Sequence, residues 1–379
     1  MEGARRIDAQ LIRSNHTVEV VCLDLPGQNF LDNYPTLVHA LGPAKFGYRY
    51  CSELIPWLRD NHKRFDAVII DGLWQYHGYA AWRTLSNTQT PYFVFTHGML
   101  DPWFKRTYPL KHLKKLVYWL LIESKLIRDA RSVLFTCEEE KKLAHESFRM
   151  YNSNEVVISL GTDLPPQDKY GILAKNFRNR YLELRNKRIL LFLSRIHEKK
   201  GCDLLVRAFA EAARCNPDLH LVMAGPDQTG WVPKLKLQAQ ALGIADRITW
   251  PGMLQGDQKW GAFHAAEAFC LPSHQENFGI VVAEALGCGT PVLISDKVNI
   301  WREIATDCAG IIQPDTLEGT KNALSKWLEL TLDDQVRMAK AARACFDERY
   351  RIEQVAQDLV TKVKSYILQT PAIIKKPSQ

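Results

Sequence analysis

The chain has 379 residues, a length that accommodates two or three domains of ordinary size. Its hydrophobic fraction of 46% and charged fraction of 24% are those of a globular protein and exclude wholesale disorder. The net charge of +7 fits an anionic substrate, an anionic membrane surface or plain surface charge; with no long Lys/Arg block and no recognisable motif, nucleic-acid binding is a poor reading.

The chain opens directly in a helical pattern from Glu2 to Arg13, without the apolar segment of a secretory signal. Short β-branched runs then alternate with longer helical stretches. The first set of expected strands is Val18–Leu23, Ala67–Asp71, Tyr92–Thr96, Ser132–Thr136 and Val156–Leu160. The second set is Ile189–Ser194, Leu219–Ala224, Ile248–Trp250, Ala268–Leu271, Pro291–Ser295 and Gly310–Ile312. Several are unbroken apolar runs, as in parallel strands covered on both faces. The alternation predicts βαβ units and two doubly wound α/β domains. Between the sets, Asp163–Lys187 is polar, lacks strand character and contains Pro165-Pro166 and a charged helix-like stretch. The expected division is a first domain over 1–163, a linker over 164–187, a second domain over 188–350 and a terminal segment over 351–379. A helical tail runs from Leu317 to Gln369, its last helix, Ile352–Leu368, is amphipathic, and Thr370–Gln379 reads as frayed.

No apolar run approaches the ~20 residues of a membrane span. Nine cysteines, odd in number and without Cys-x-x-Cys spacing, argue against a disulfide framework and a zinc cluster and fit reduced thiols in a cytoplasmic protein.

Two segments have the makings of a binding site. The first runs from Ser273 through Glu276, Asn277, Phe278, Gly279 and Ile280 to Glu284. It follows an expected strand and opens an expected helix, and strand C-termini are where open α/β sheets bind ligands. Asn277 is a candidate N-cap, Gly279 allows close approach to the backbone, and a helix start offers N–H groups to a phosphate. Two carboxylates there can accept hydrogen bonds from sugar hydroxyls. The plainer reading is an ordinary helix start with Glu284 on a solvated face. The second segment, Ser194–Gly201, brings Arg195 and Lys200 to a tight turn, either as two cations for a phosphate or as a solvated basic loop.

Together these segments resemble a known family. Glu276-x7-Glu284 before Gly289-Thr290-Pro291 looks like the donor-site signature of the family-4 retaining glycosyltransferases. The Arg195-to-Lys200 spacing followed by Gly201 looks like their diphosphate loop, and Ala224-Gly225-Pro226 and Pro251-Gly252-Met253 match their strand ends. The resemblance covers the chain from Glu2 onward. It implies a GT-B fold, in which two Rossmann-like domains face each other across a cleft and the last helix returns to the first domain. It implies that Arg195 and Lys200 neutralise the diphosphate of a UDP- or GDP-linked sugar, that Glu276 holds sugar hydroxyls and that Glu284 holds the ribose. The backbone at Phe278, Gly279 and Ile280 then faces the phosphates, and Gly252 and Met253 lie by the base. Retention of anomeric configuration without metal or cofactor follows from the same resemblance, with cations and helix dipoles supplying the electrostatics. A pathway of polysaccharide biosynthesis is likewise implied.

In the first domain, His97 ends the run Phe95-Thr96-His97-Gly98 and resembles the family's active-site histidine, with a positioning role. Glu138, after Thr136, is an acceptor-side candidate, equally readable as a charged helix start. Residues 103–128 are basic and aromatic, with Leu110, Leu113, Val117, Leu120 and Leu121 at helical spacing among Lys111, Lys114 and Lys115. This reads either as an interfacial helix on the inner face of the plasma membrane, serving a lipid-linked acceptor, or as a helix packed on its own domain. The family's first strand and glycine-rich loop precede the helix that begins here at Glu2. The expectation is a chain that starts at an internal methionine or is truncated. A degenerate, non-catalytic copy is the rival this favours. A nicotinamide-dependent oxidoreductase is excluded, for no Gly-x-Gly-x-x-Gly follows a strand.

Overall fold

The computed structural model describes residues 2–103, 105, 109–148 and 151–368. The chain divides into two compact units, one taking the chain up to Leu160 together with the helix from Ile352, the other Gly161–Arg351.

In the first unit, β1 (Glu19–Cys22) pairs in parallel with β2 (Leu37–Ala40) as a two-stranded sheet. A separate parallel sheet has the order β3 (Val68–Asp71), β4 (Tyr92–Phe95), β5 (Ser132–Phe135), β6 (Glu155–Val157). Strand β4 shows why its apolar run is unbroken. Tyr92 and Val94 point into a core with Leu54, Leu58, Ala80, Leu85, Trp119 and Leu126. Phe93 and Phe95 point the other way, into a core with Ile7, Ile352, Val355 and Leu359. A two-residue period thus serves two cores. The second core is roofed by the first helix, Glu2–Arg13, and the last, Ile352–Leu368.

The second unit holds one parallel six-stranded sheet, β7 (Arg188–Leu193), β8 (Leu219–Ala224), β9 (Ile248–Gly252), β10 (Ala268–Leu271), β11 (Val292–Ser295) and β12 (Gly310–Gln313). Its order is β12-β11-β10-β7-β8-β9.

Three expectations are corrected. Strand β2 was not foreseen: its residues are exposed or only partly buried, and His39 breaks its apolar run. The stretch 164–187 is no linker. It contains the helix Ile172–Arg180, whose Phe177 is fully buried, and Arg178 donates to the carbonyls of Leu184, Lys187 and Ala265 at 2.8–2.9 Å. The segment 103–128 is not one helix but the helix Pro109–Tyr118, a π-helical turn Trp119–Glu123 and the helix Ser124–Asp129. Its residues 104 and 106–108 lie outside the described residues, as do Gln369 and Thr370–Gln379. Among the described residues no helix is long and apolar enough to cross a membrane.

Candidate functional site

Strand order in the second unit reverses between β7 and β10, because the chain leaves β7 towards β8 and β9 on one side and β10 towards β11 and β12 on the other. Open parallel sheets bind ligands beyond the strand C-termini at such a switch point. Both segments singled out in the sequence leave the sheet there.

The two loops are pressed together. Gly201 sits at φ +63°, and a Cβ on it would come within 2.1 Å of the Pro272 carbonyl oxygen. The His274 N–H donates to the Lys199 carbonyl at 2.8 Å. Lys200, buried, pairs its Nζ with the Glu276 carboxylate. A buried ammonium needs such a partner, since isolated charge is strongly disfavoured away from water. Arg195 is exposed, with no ion pair among the described residues.

On its far side the Glu276 loop is registered by the loop after β11. The Glu276 N–H donates to the Lys297 carbonyl at 2.9 Å, and the Asn299 N–H donates to the Glu276 carbonyl at 3.0 Å. His274 Nδ1 lies 2.9 Å from an Asp315 carboxylate oxygen. The helix Ile280–Gly287 then begins, and its N-cap is Gly279 at φ +74°, not Asn277. The cap needs a left-handed backbone, which favours glycine. Phe278 is buried with its ring edge-on to Tyr350, centroids 5.6 Å apart, so only its backbone is available to a ligand.

Glu284 is the one charge in an otherwise apolar helix, and it is 2% exposed rather than solvated. Its partner is Lys259, Nζ to Oε1 2.7 Å, whose ammonium also lies over the Trp260 ring at 4.4 Å. Gly252, at φ +74°, ends β9; its carbonyl accepts from the Gly225 N–H at 2.8 Å, and Met253 beyond it is exposed. Arg195, Lys200, Gly252, Met253, Glu276, Phe278, Gly279, Ile280 and Glu284 thus all lie at or just beyond strand C-termini of one sheet, or in the helix that follows.

His97 and Glu138 belong to the first unit. His97, at φ +47°, stacks on Phe95 with 4.7 Å between centroids, and its Nε2 lies 2.9 Å from Asp71 Oδ1. Glu138 is an exposed helix-start residue, 3.4 Å from Lys141 Nζ. The acidic residue built into this unit is instead Glu140, buried at the ends of β4 and β5.

Lys259 and Glu140 carry no signal as site residues in the sequence. Lys259 acts on Glu284, 25 positions away, and Glu140 on Gly98, 42 positions away, and local spacing carries no sign of either. Glu284 did leave a signal: a carboxylate in a helix apolar all round must be buried with a partner.

Comparison with known proteins now adds to this geometry. Residues 174–344 match the family model "Glycosyl transferases group 1", and residues 3–161 match "Glycosyl transferase 4-like domain". A D-inositol 3-phosphate glycosyltransferase of Gordonia bronchialis is 29% identical over 62% of this chain and 51% of its own length. A phosphatidyl-myo-inositol mannosyltransferase of Mycolicibacterium smegmatis is 33% identical over 42% of this chain and 40% of its own. The chain thus spans about half, or less, of the curated relatives it matches. Among solved structures, Anabaena HepE in complex with UDP and glucose superposes with a TM-score of 0.72 at 19% identity, covering 96% of this chain and 95% of that one. With the two family models reaching from residue 3 to residue 344, the chain belongs to the group 1 glycosyl transferases and has their GT-B fold.

Proposed function

We propose that the chain is a retaining glycosyltransferase, moving a hexosyl group from a UDP- or GDP-linked donor to a hydroxyl of a glycan or glycolipid in polysaccharide or glycoconjugate biosynthesis. The observation that carries the reading is the convergence of Lys200, Glu276 and the Gly279 helix start at the β7/β10 switch point. A diphosphate there meets the Lys200 ammonium, the exposed Arg195 guanidinium and the N–H groups of the first turn of Ile280–Gly287. These groups stabilise the charge that grows on the departing diphosphate. Lys200 exchanges its Glu276 partner for phosphate, which frees the carboxylate to accept from hydroxyls of the transferred sugar. Glu284 accepts from the ribose, held in place by Lys259. Gly252 and Met253 border the base. In the first unit, His97 is held beside Asp71 in a positioning role.

The relatives named for inositol phosphate and phosphatidylinositol acceptors support a phosphorylated or lipid-linked acceptor here. A second observation favours work at a membrane. Leu110, Leu113, Val117, Leu120 and Leu121 are 50–84% exposed on the Pro109–Glu123 stretch, beside the exposed Lys114. Such a face docks on an anionic inner leaflet. Nine free thiols fit a reducing, cytoplasmic side.

The test is release of nucleoside diphosphate from UDP-glucose, UDP-galactose or GDP-mannose with inositol phosphates and lipid extracts as acceptors. The expected product keeps the donor's anomeric configuration, and its rate is unchanged by EDTA. An inverted product, or a rate abolished by EDTA, contradicts the mechanism.

A further inference from the structure

We propose that Glu140 is a positioning residue for the transfer reaction, its carboxylate setting the turn that carries His97. The inference rests on the reading of His97 as part of the active site. Glu140 is the third residue of the helix Glu138–Ser147, whose N-cap is Cys137. At that position a glutamate ordinarily reaches back to the N–H of its own cap residue. Here it goes further. Oε2 accepts from the Thr136 N–H at 2.7 Å and the Thr136 hydroxyl at 2.6 Å, at the end of β5. Oε1 accepts from the Thr96 hydroxyl at 2.6 Å and the Gly98 N–H at 2.5 Å, at the end of β4.

Those last two donors are the residues on either side of His97. The histidine is therefore suspended between two points fixed by one carboxylate oxygen. Its backbone needs that hold, because His97 and Gly98 stand at φ +47° and φ +77° in succession. A non-glycine residue there is strained and persists where its surroundings over-determine it. With the backbone held, stacking on Phe95 and the contact with Asp71 fix the imidazole plane. Glu140 is 2% exposed, so water does not compete for its four donors.

A brace and a positioning residue are told apart by comparing the two hydroxyls on this carboxylate. Thr96→Val removes one beside His97, Thr136→Val one on the opposite oxygen, and Glu140→Gln turns one oxygen into a donor that faces donors. Each variant is assayed for release of UDP or GDP from UDP-glucose, UDP-galactose or GDP-mannose, with water or an acceptor, and for the His97 imidazole titration by NMR. Nucleotide-induced thermal stabilisation serves as the control on the second unit. The expected result is a kcat at least tenfold lower for Glu140→Gln and Thr96→Val, with donor KM within twofold and a displaced His97 titration, while Thr136→Val stays close to wild type. Equal effects of the two threonine variants, or an unmoved His97 titration in Thr96→Val, overturn the proposal. A wild type without turnover defeats the glycosyl-transfer reading instead, and the His97 titration then decides for Glu140 alone.

Discussion

Two glycines measure how tightly the donor-side loops are built. At Gly225, φ +141°, an added Cβ would fall 1.7 Å from the Ser194 carbonyl oxygen, which is backbone and cannot swing away. At Gly243, φ +69°, an added Cβ meets nothing within 4 Å. Gly243→Ala is expected to cost about 1–2 kcal/mol, the backbone term alone. Gly225→Ala adds an overpacking term of about 1–3 kcal/mol or more and disturbs the β7 loop. Urea unfolding of both variants checks the order; equal losses would mean that the contact relaxes freely. Glu123 makes a second residue-level prediction. It is fully buried, Oε1 accepts from the Trp74 N–H at 2.6 Å, and Oε2 has no hydrogen-bond partner. Burial raises its pKa from 4.5 to about 7. Its folded value lies above its unfolded one, so ionisation disfavours the fold. The penalty is absent below about pH 4.5, grows as pH rises towards 7 and is complete above it, on the order of 3 kcal/mol. Glu123→Gln is therefore expected to gain stability over wild type at pH 8 but not at pH 4.5, read by thermal melts at both. A pH-independent difference would mean that Glu123 does not titrate in this window. The residues legible in advance were those in short motifs beside a turn, Lys200 before Gly201 and Glu276 and Glu284 around Gly279, although their partners lie far along the chain. Within the run Glu138–Glu140 nothing local separates the exposed acid from the buried one, for the choice is made by Thr96 and Gly98 on another strand.

At the scale of elements, the stretch Pro109–Glu123 buries Trp119 but keeps Leu110, Leu113, Val117, Leu120 and Leu121 outside. Tyr118 turns inward to hydrogen-bond Tyr48 at 2.5 Å, and Lys115 lies over Trp74 at 4.5 Å, while Leu113 and Val117 remain exposed. Leu113→Glu with Val117→Glu is expected to leave the melting temperature within a few degrees, since neither side chain is in a core. The same change should lower co-sedimentation with phosphatidylglycerol vesicles at least tenfold, wild type binding those and not phosphatidylcholine ones. Unchanged sedimentation would assign the face to something other than a membrane. Strands were the most legible elements because a strand between two helical layers must be apolar at every position. Tyr92–Phe95 and Ala268–Leu271 are buried throughout. Strand β2 has no such signature, and its His39 lies 2.8 Å from Glu19 on β1, a partly buried pair. The helix Ile172–Arg180 was legible as a charged helix-like stretch, but its charges hid that it packs into the second unit. Phe177 and the Arg178 guanidinium reach inward while the rest of that polar face meets water.

For the whole molecule, strand order does what no single motif can. Two βαβ halves wound in opposite directions from β7 and β10 bring a cationic loop and an acidic loop together from 76 residues apart. That this meeting point is a nucleotide-sugar site can be tested without knowledge of the acceptor. The measurement is thermal stabilisation by UDP, GDP and ADP and their sugars, for wild type, Lys200→Ala and Glu284→Gln. At 100 times its dissociation constant a ligand contributes about 2.7 kcal/mol. One nucleotide is expected to stabilise the wild type, and both variants to lose most of the response while remaining folded. A folded wild type that no nucleotide stabilises, or a Lys200→Ala variant that responds like the wild type, would contradict that reading.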